Sequence, residues 1–473
     1  MPAAWVVAAA FALHPMQVES VAWITDRKNA RSGAFFFPAF YAYLRFDDSR
    51  RLGWYATALA AFVFALLSKT VACVLPAVLV IALVARRRLR PAELLSMAPF
   101  WVWGLAAGLV TASVELGSVA APGETWERTF WERSLLVAPR VHLFYLRNIV
   151  WPHPIIFTYP RWEPSAGEAL SFLPLALSVA LLGAAALLIR KCGPGMLALL
   201  LAAAALTFPA LGFFSVYAHR SSWVADHFQY LGCAAFLAAV VLAVYGILRR
   251  IGLARPSVAV ALAGVWLAAL GTRTFLRIDT YRDARSLWED TLRQYPAAWV
   301  AHLNLGNAAA ARGEFEVAER HFQSVMKHPA AVVDGLGAWA NAKMRAGDAQ
   351  QAVALSRRAL ELAPDNAKLL SNHALMQLAS RAEKGAAAAA ERALDLDPGL
   401  SNGWYTLGVI LAAQKRSEDA AAALRRAIEL GLDRADLWKR YADVLAALGR
   451  REDSQAALER SRMLAPPTVS NRE

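Results

Sequence analysis

The sequence predicts an all-α protein in two parts, a bundle of membrane-spanning helices followed by a solenoid of helical repeats. Three observations carry this. Of the 473 residues, 57% are hydrophobic, above the roughly 45–50% usual for soluble domains, and the long apolar runs fall almost entirely within residues 1–278. From Trp299 onward a pattern recurs every 34 residues without a gap. Charge divides at the same place. Residues 1–278 hold 24 Lys+Arg against 12 Asp+Glu, and the remaining 195 hold 26 against 25.

In the first part, apolar stretches at about 28–46, 52–69, 70–86, 94–113, 169–189, 195–217, 227–248 and 257–277 read as spans. Pro2–Leu13 reads as a partial ninth, because its 12 residues are too few to cross roughly 30 Å of hydrocarbon as a helix. No basic stretch precedes it, so it does not read as a secretory signal. It reads instead as the end of a longer helix or as a late start of the chain. Residues 134–150 carry Arg140, His142 and Arg147, which bare lipid tolerates poorly. They are expected to lie at the interface or inside the bundle.

Orientation follows from the loops. Loops 45–52, 86–93, 190–194 and 249–256 hold 12 Lys+Arg in 29 residues, whereas loops 14–32, 68–70, 114–168 and 217–226 hold ten in 87. Positive charge is retained on the cytoplasmic side. The first set is therefore expected inside, and the second set, with the repeats, outside. This placement of the arginines explains the net charge of +13 without nucleic acid as a partner.

Cys73, Cys192 and Cys233 lie in or beside separate apolar segments, with neither a disulfide framework nor metal-ligand spacing. No metal site is expected.

The second part has five units, beginning at 299, 333, 367, 401 and 435. Their eighth positions are Gly306, Ala340, Ala374, Gly408 and Ala442, and their twentieth are Ala318, Ala352, Ala386, Ala420 and Ser454. Small residues there let the two helices of a unit cross closely. The twenty-fourth positions are Phe322, Ser356, Ala390, Leu424 and Leu458. Helix-ending prolines follow at Pro329, Pro364, Pro398 and Pro466. Period and pattern resemble the tetratricopeptide repeat, a helix pair that stacks into a superhelix with a partner-binding face. Residues 279–298 hold a half unit, with Ala284, Trp288 and Pro296 in phase, expected to cap the array. Residues 299–466 are the five repeats, and 467–473 read as a disordered tail. Trp404, Tyr405, Trp438 and Tyr441 read as core rather than ligand contacts.

Nine of the 12 acids before residue 279 fall in the outer loops: Glu19, Asp26, Glu115, Glu124, Glu127, Glu132, Glu163, Glu168 and Asp226. Polar side chains gathered on one side of a membrane bundle point to a binding or catalytic surface there. The densest chemistry is in residues 12–37, where His14, Glu19, Asp26, Arg27, Lys28 and Arg31 stand close together in sequence. Cations in such a place suit a phosphate at the membrane surface.

The order of blocks HPMQVESVAWITDRKN, SKTVACVLPAVLV, WPHPIIFTYP and SSWVADHFQYLG, with repeats behind them, resembles the transmembrane and tetratricopeptide-repeat protein O-mannosyltransferase family, especially its bacterial relatives, over nearly the whole chain. The resemblance implies a GT-C-like membrane domain in residues 1–278. It also implies transfer of a sugar from a polyprenyl-phosphate carrier to protein hydroxyls on the extracytoplasmic side, most simply in a bacterial inner membrane, with the repeats binding the acceptor. No other cofactor is implied. Substrate-binding positions carried over are His14, Glu19, Arg27, Lys28, Lys69, Asp226, His227 and Tyr230. His227 stands where the family has arginine, Gly232 where it has proline, and Thr70 follows Lys69 in place of proline. The first outer loop, where such enzymes carry their essential acid, has no counterpart, so the resemblance reads as N-terminally truncated. The catalytic residue is unassigned, with Glu19 and Asp26 the available acids. The rival expectations are a non-catalytic membrane-anchored scaffold for envelope proteins and, further off, a polymerase or ligase of lipid-linked polysaccharide.

Overall fold

The computed structural model describes residues 2–115, 128–189, 193–213 and 217–465. Glu124, Glu127, Cys192 and the tail at 467–473 lie outside them. The described residues are helices and connecting turns. The chain forms two compact units, divided between Ala298 and Trp299.

The first unit opens with α1 (Pro2–Leu13), α2 (Val18–Ala22), α3 (Arg27–Ser49), α4 (Leu52–Ser68), α5 (Leu75–Ala85), α6 (Pro91–Ser96) and α7 (Ala98–Val114). It continues with α8 (Ala138–Val150), α9 (Leu173–Leu187), α10 (Gly195–Thr207), α11 (Tyr230–Arg250), α12 (Pro256–Ile278) and α13 (Ala284–Gln294). Helices α3 and α4 form a hairpin. Arg50 ends α3 in the left-handed region at φ 55°, and Ser32 Oγ ties the far end by donating to the Ala65 carbonyl at 3.2 Å. Phe36, Ala39, Tyr43, Phe62, Leu75, Leu79 and Phe100 close the core between α3, α4, α5 and α7.

Every expected span coincides with a helix, but fewer qualify as spans than the sequence suggested. Among the described residues, three segments are long and apolar enough to cross a membrane: Ala169–Leu187, Asp226–Arg250 and Pro256–Tyr281. Five other apolar helices have only 10–17 residues, or at most about 26 Å at 1.5 Å per residue, short of the roughly 30 Å hydrocarbon core. Helix α3 has 23 residues but carries charge at both ends.

Helix α8 occupies the amphipathic segment at 134–150. Val141, Tyr145 and Ile149 turn one face into the core, so the segment packs inside the unit. Helix α13, expected to cap the repeats, packs within this first unit. Trp288 meets Phe157 edge-on at 5.1 Å, and Gln294 Nε2 donates to the Ile155 carbonyl at 3.0 Å.

The second unit is five antiparallel helix pairs in register with the 34-residue period: α14 (Trp299–Ala311) and α15 (Phe315–Val325), α16 (Val332–Arg345) and α17 (Ala349–Leu362), α18 (Ala367–Ala379) and α19 (Glu383–Leu396), α20 (Ser401–Ala413) and α21 (Ser417–Glu429), and α22 (Ala435–Ala447) and α23 (Arg451–Leu464). The small positions do what their spacing predicts. Ala318, Ala340, Ala352, Ala374, Ala386 and Ala420 are fully buried. A Cβ on Gly306 would stand 2.7 Å from Phe322, and one on Gly408 would stand 2.7 Å from Leu424. Tyr405 is buried and donates to Asp436 Oδ2 at 3.0 Å. Trp404, Trp438 and Tyr441 pack partly buried on the same core.

Candidate functional site

Two polar assemblies form at opposite ends of the α3–α4 hairpin. A helix of 23 residues separates them by about 34 Å at 1.5 Å per residue. At the first end, loops 45–52 and 86–93 are cross-linked. Arg50 grips Glu93 with both terminal nitrogens, Nη1 at 3.0 Å and Nη2 at 2.7 Å. Arg86 and Arg88 close on Asp47 and Asp48. Two loops that the charge pattern assigned to one side therefore do share one end.

The other end gathers the sequence's candidate residues. The turn Ile24–Asp26 and the short helix α2 hold Asp26 and Glu19, which are 3% and 1% exposed. The turn Asp226–Gln229 delivers His227 from more than 200 positions away. Its backbone N–H donates to Glu19 Oε2 at 3.1 Å. Its ring Nδ1 lies 2.7 Å from Glu19 Oε1 and 3.2 Å from Asp26 Oδ2. Lys28 Nζ stands 3.5 Å from Asp26 Oδ1. Lys69, in the extended link between α4 and the next turn, donates to Asn29 Oδ1, and Asn29 Nδ2 in turn donates to Ser20 Oγ at 3.2 Å. Burial lowers the Lys69 pKa to about 8, with the charge of Asp26 opposing that fall and Lys28 adding to it.

The segment bearing His227 is held rigidly. Tyr145 OH donates to the Ala225 carbonyl at 3.2 Å, and Trp223 Nε1 donates to the Trp162 carbonyl at 2.8 Å. Asp226, beside His227, accepts from Tyr159 OH at 2.8 Å.

Of the expected substrate-binding residues, the fold brings Glu19, Lys28, Lys69 and His227 together, with the candidate acid Asp26 among them. Arg27 is exposed beside them. His14 belongs elsewhere. It is fully buried, its Nδ1 accepts from the Met16 N–H at 3.3 Å, and its Nε2 donates to the Ile149 carbonyl at 3.1 Å. Burial lowers its pKa to about 4, so the ring is neutral with both nitrogens occupied. It caps a turn and has no free atom for a ligand. Tyr230 also packs, edge-on to Phe11 at 5.3 Å and against Gly33.

Asn29 and Tyr159 were not singled out as binding residues, because hydrogen-bonded bridges between segments leave no spacing in the sequence. Nor does the sequence mark the buried ion pair of Arg277 with Asp290, at 2.6 Å. Ligand spacing along the sequence does not mark one further grouping. Glu19, Asp26 and His227 each offer one ligand atom, and these lie within 4.8 Å of one another.

The other surface with functional meaning is the repeat array. Residues 273–328, 338–401 and 405–466 match the tetratricopeptide repeat family model. The C-terminal part is a tetratricopeptide array. Similar solved structures include MamA, at 17% identity over 33% of this chain and 92% of its own, with a TM-score of 0.29. TTC0263, a thermophilic tetratricopeptide protein of Thermus thermophilus, is 17% identical over 36% of this chain and 94% of its own, with a TM-score of 0.34. PilF of Pseudomonas aeruginosa is 18% identical over 36% and 78%, with a TM-score of 0.33. No curated protein matches the chain.

Proposed function

We propose that the chain is a membrane-embedded glycosyltransferase-like protein. It takes a sugar from a polyprenyl-phosphate carrier at the Glu19–Lys69–His227 end of its first unit, and its tetratricopeptide repeats engage the protein that receives the sugar. The single observation behind this reading is the buried charge cluster. Glu19, Asp26, Lys69 and His227, with the exposed Lys28 beside them, come from three separate stretches of chain and meet at one end of the α3–α4 hairpin. Burying charges costs several kcal/mol each unless they are paired, and an anchor has no use for them. Lys69 and Lys28 supply the cations that a lipid phosphate requires, and the two carboxylates suit sugar hydroxyls.

Membrane embedding is supported by the outer faces of the helices. Only Ala185 is buried along α9, and only Leu270 and Arg277 along α12. Trp101, Val102, Trp103, Leu105, Leu109 and Val110 on α7 are also exposed. Apolar surface on this scale needs a cover, and lipid provides one on every side. The positive-inside pattern assigns the Arg50–Glu93 end to the cytoplasm and the Lys69 end to the outside.

A second reading, a non-catalytic scaffold, is favoured by the family match, which falls on the repeats and the helix before them. One experiment separates the two. Full-length protein in lipid nanodiscs is incubated with polyprenyl-phosphate [³H]mannose and periplasmic protein. Label on protein hydroxyls that disappears in Lys69→Ala supports the transferase. Periplasmic proteins retained by the repeats without transfer of label reject it in favour of the scaffold.

A further inference from the structure

We infer that Glu19, Asp26 and His227 form a binding site for one divalent transition-metal ion. His227 Nδ1 faces two carboxylate oxygens, Glu19 Oε1 at 2.7 Å and Asp26 Oδ2 at 3.2 Å. One ring nitrogen carries at most one proton, and the nearer Glu19 takes it. Asp26 Oδ2 is then left buried without a hydrogen-bond donor, in a residue only 3% exposed. A buried carboxylate oxygen without a donor is costly, and the cost is removed if a cation sits where the single proton does.

The separations suit an ion. Ligands held at 2.0–2.2 Å around a tetrahedral centre lie roughly 3.3–3.5 Å apart. The 3.2 Å contact opens by a few tenths of an ångström and the 2.7 Å contact by about 0.6–0.8 Å to reach a coordinating arrangement, and all three ligand atoms already lie within 4.8 Å of one another. The ligands are also oriented before any ion arrives. Glu19 Oε2 is pinned by the His227 backbone N–H at 3.1 Å, and the His227 ring stands against Phe228 at 4.5 Å between centroids. Supports of this kind fix ligand geometry in metal sites.

Counted over the three ligands alone, two carboxylates and a neutral imidazole balance a dication. Lys28, 3.5 Å from Asp26 Oδ1, and Lys69 add positive charge beside them, which a bound anion offsets. One nitrogen and two oxygens select zinc, manganese, iron(II) or cobalt(II) over calcium or magnesium. Three protein ligands leave at least one position open, which a purely structural zinc site does not. The site does not depend on sugar transfer, since a scaffold would hold the ion equally well.

The test uses tag-free full-length protein in detergent, stripped with EDTA and titrated with Zn²⁺ by calorimetry, and with Co²⁺ by visible absorption. The expected result is one ion per chain beyond any bound by His227→Arg, at an affinity at least tenfold tighter. His227→Arg places a permanent cation between the carboxylates but has no lone pair, so the fold is kept and the ion is lost. Should that variant fail to elute as a monodisperse peak, Asp26→Asn removes one ligand without changing shape. An ion held elsewhere, for instance by His302 and His321, whose Nδ1 atoms are 2.9 Å apart, survives in the variants and cancels from the difference. Wild-type uptake equal to that of the variants, or no uptake, overturns the inference.

Discussion

Gly408 and Leu424 make a sharp test of the repeat packing, because the same substitution should change sign with its neighbour. An alanine Cβ at 408 would stand 2.7 Å from Leu424 Cγ, 2.8 Å from Cδ2 and 3.3 Å from the Leu424 backbone nitrogen. Leu424 is fully buried and has nowhere to swing. Overpacking of this kind costs about 1–3 kcal/mol, and replacing a mid-helix glycine with alanine recovers about 1 kcal/mol of helix propensity. Gly408→Ala is thus expected to destabilise the array by about 1 kcal/mol. Leu424→Ala alone should cost about 2–5 kcal/mol. In that background the side-chain clash is gone and only the 3.3 Å approach to the backbone nitrogen remains, so Gly408→Ala should stabilise by up to about 1 kcal/mol. The double variant reproduces the pairing already present at Ala374 and Ala390 in the third unit, both fully buried. Pulse proteolysis across a urea series, scored on fragments from the repeats, measures all four proteins. If Gly408→Ala stabilises the wild type as it does the Leu424→Ala protein, the two helices do not cross where the packing places them.

Two further predictions concern the first unit. Phosphate recognition by Lys69 needs the ammonium form. Its pKa is lowered by burial to about 8, so charge is full below that value and lost above it. Binding of polyprenyl-phosphate, followed by calorimetry in detergent, should therefore weaken as pH rises through about 8. Lys69→Arg, which stays charged, should flatten that profile. Orientation is tested with single cysteines in a background lacking the native ones. Lys28→Cys should react with a membrane-impermeant maleimide in intact spheroplasts, and Arg51→Cys only after lysis. The opposite pattern inverts the topology.

Much of the fold was legible because it is periodic. Helix existence follows from apolar runs and 34-residue spacing. The repeat contacts follow from matched positions: Gly306 faces Phe322 and Gly408 faces Leu424, while Ala374 and Ala390 share one small core, so a glycine on one helix goes with a large residue on the other. Which apolar helices suffice to cross a membrane was less legible. Hydropathy extends past the residues that actually become helical, so α10 ends at Thr207 although apolar sequence continues beyond it.

The candidate site divides in the same way. Residue type pointed to Glu19, Asp26 and Lys28, since charges beside apolar segments are costly and so carry information, while Lys69 and His227 entered through the family resemblance. His14 and Tyr230, carried over with them, serve a turn cap and a helix contact in the fold. Helices, repeat and sidedness of charge can be read along the chain, because each depends on neighbours close in sequence. The meeting of His227 with Glu19 across more than 200 residues, the Asn29 bridge to Lys69 and the convergence of three ligand atoms emerge only when the helices pack. Packing of that kind leaves no period or spacing in the chain to read.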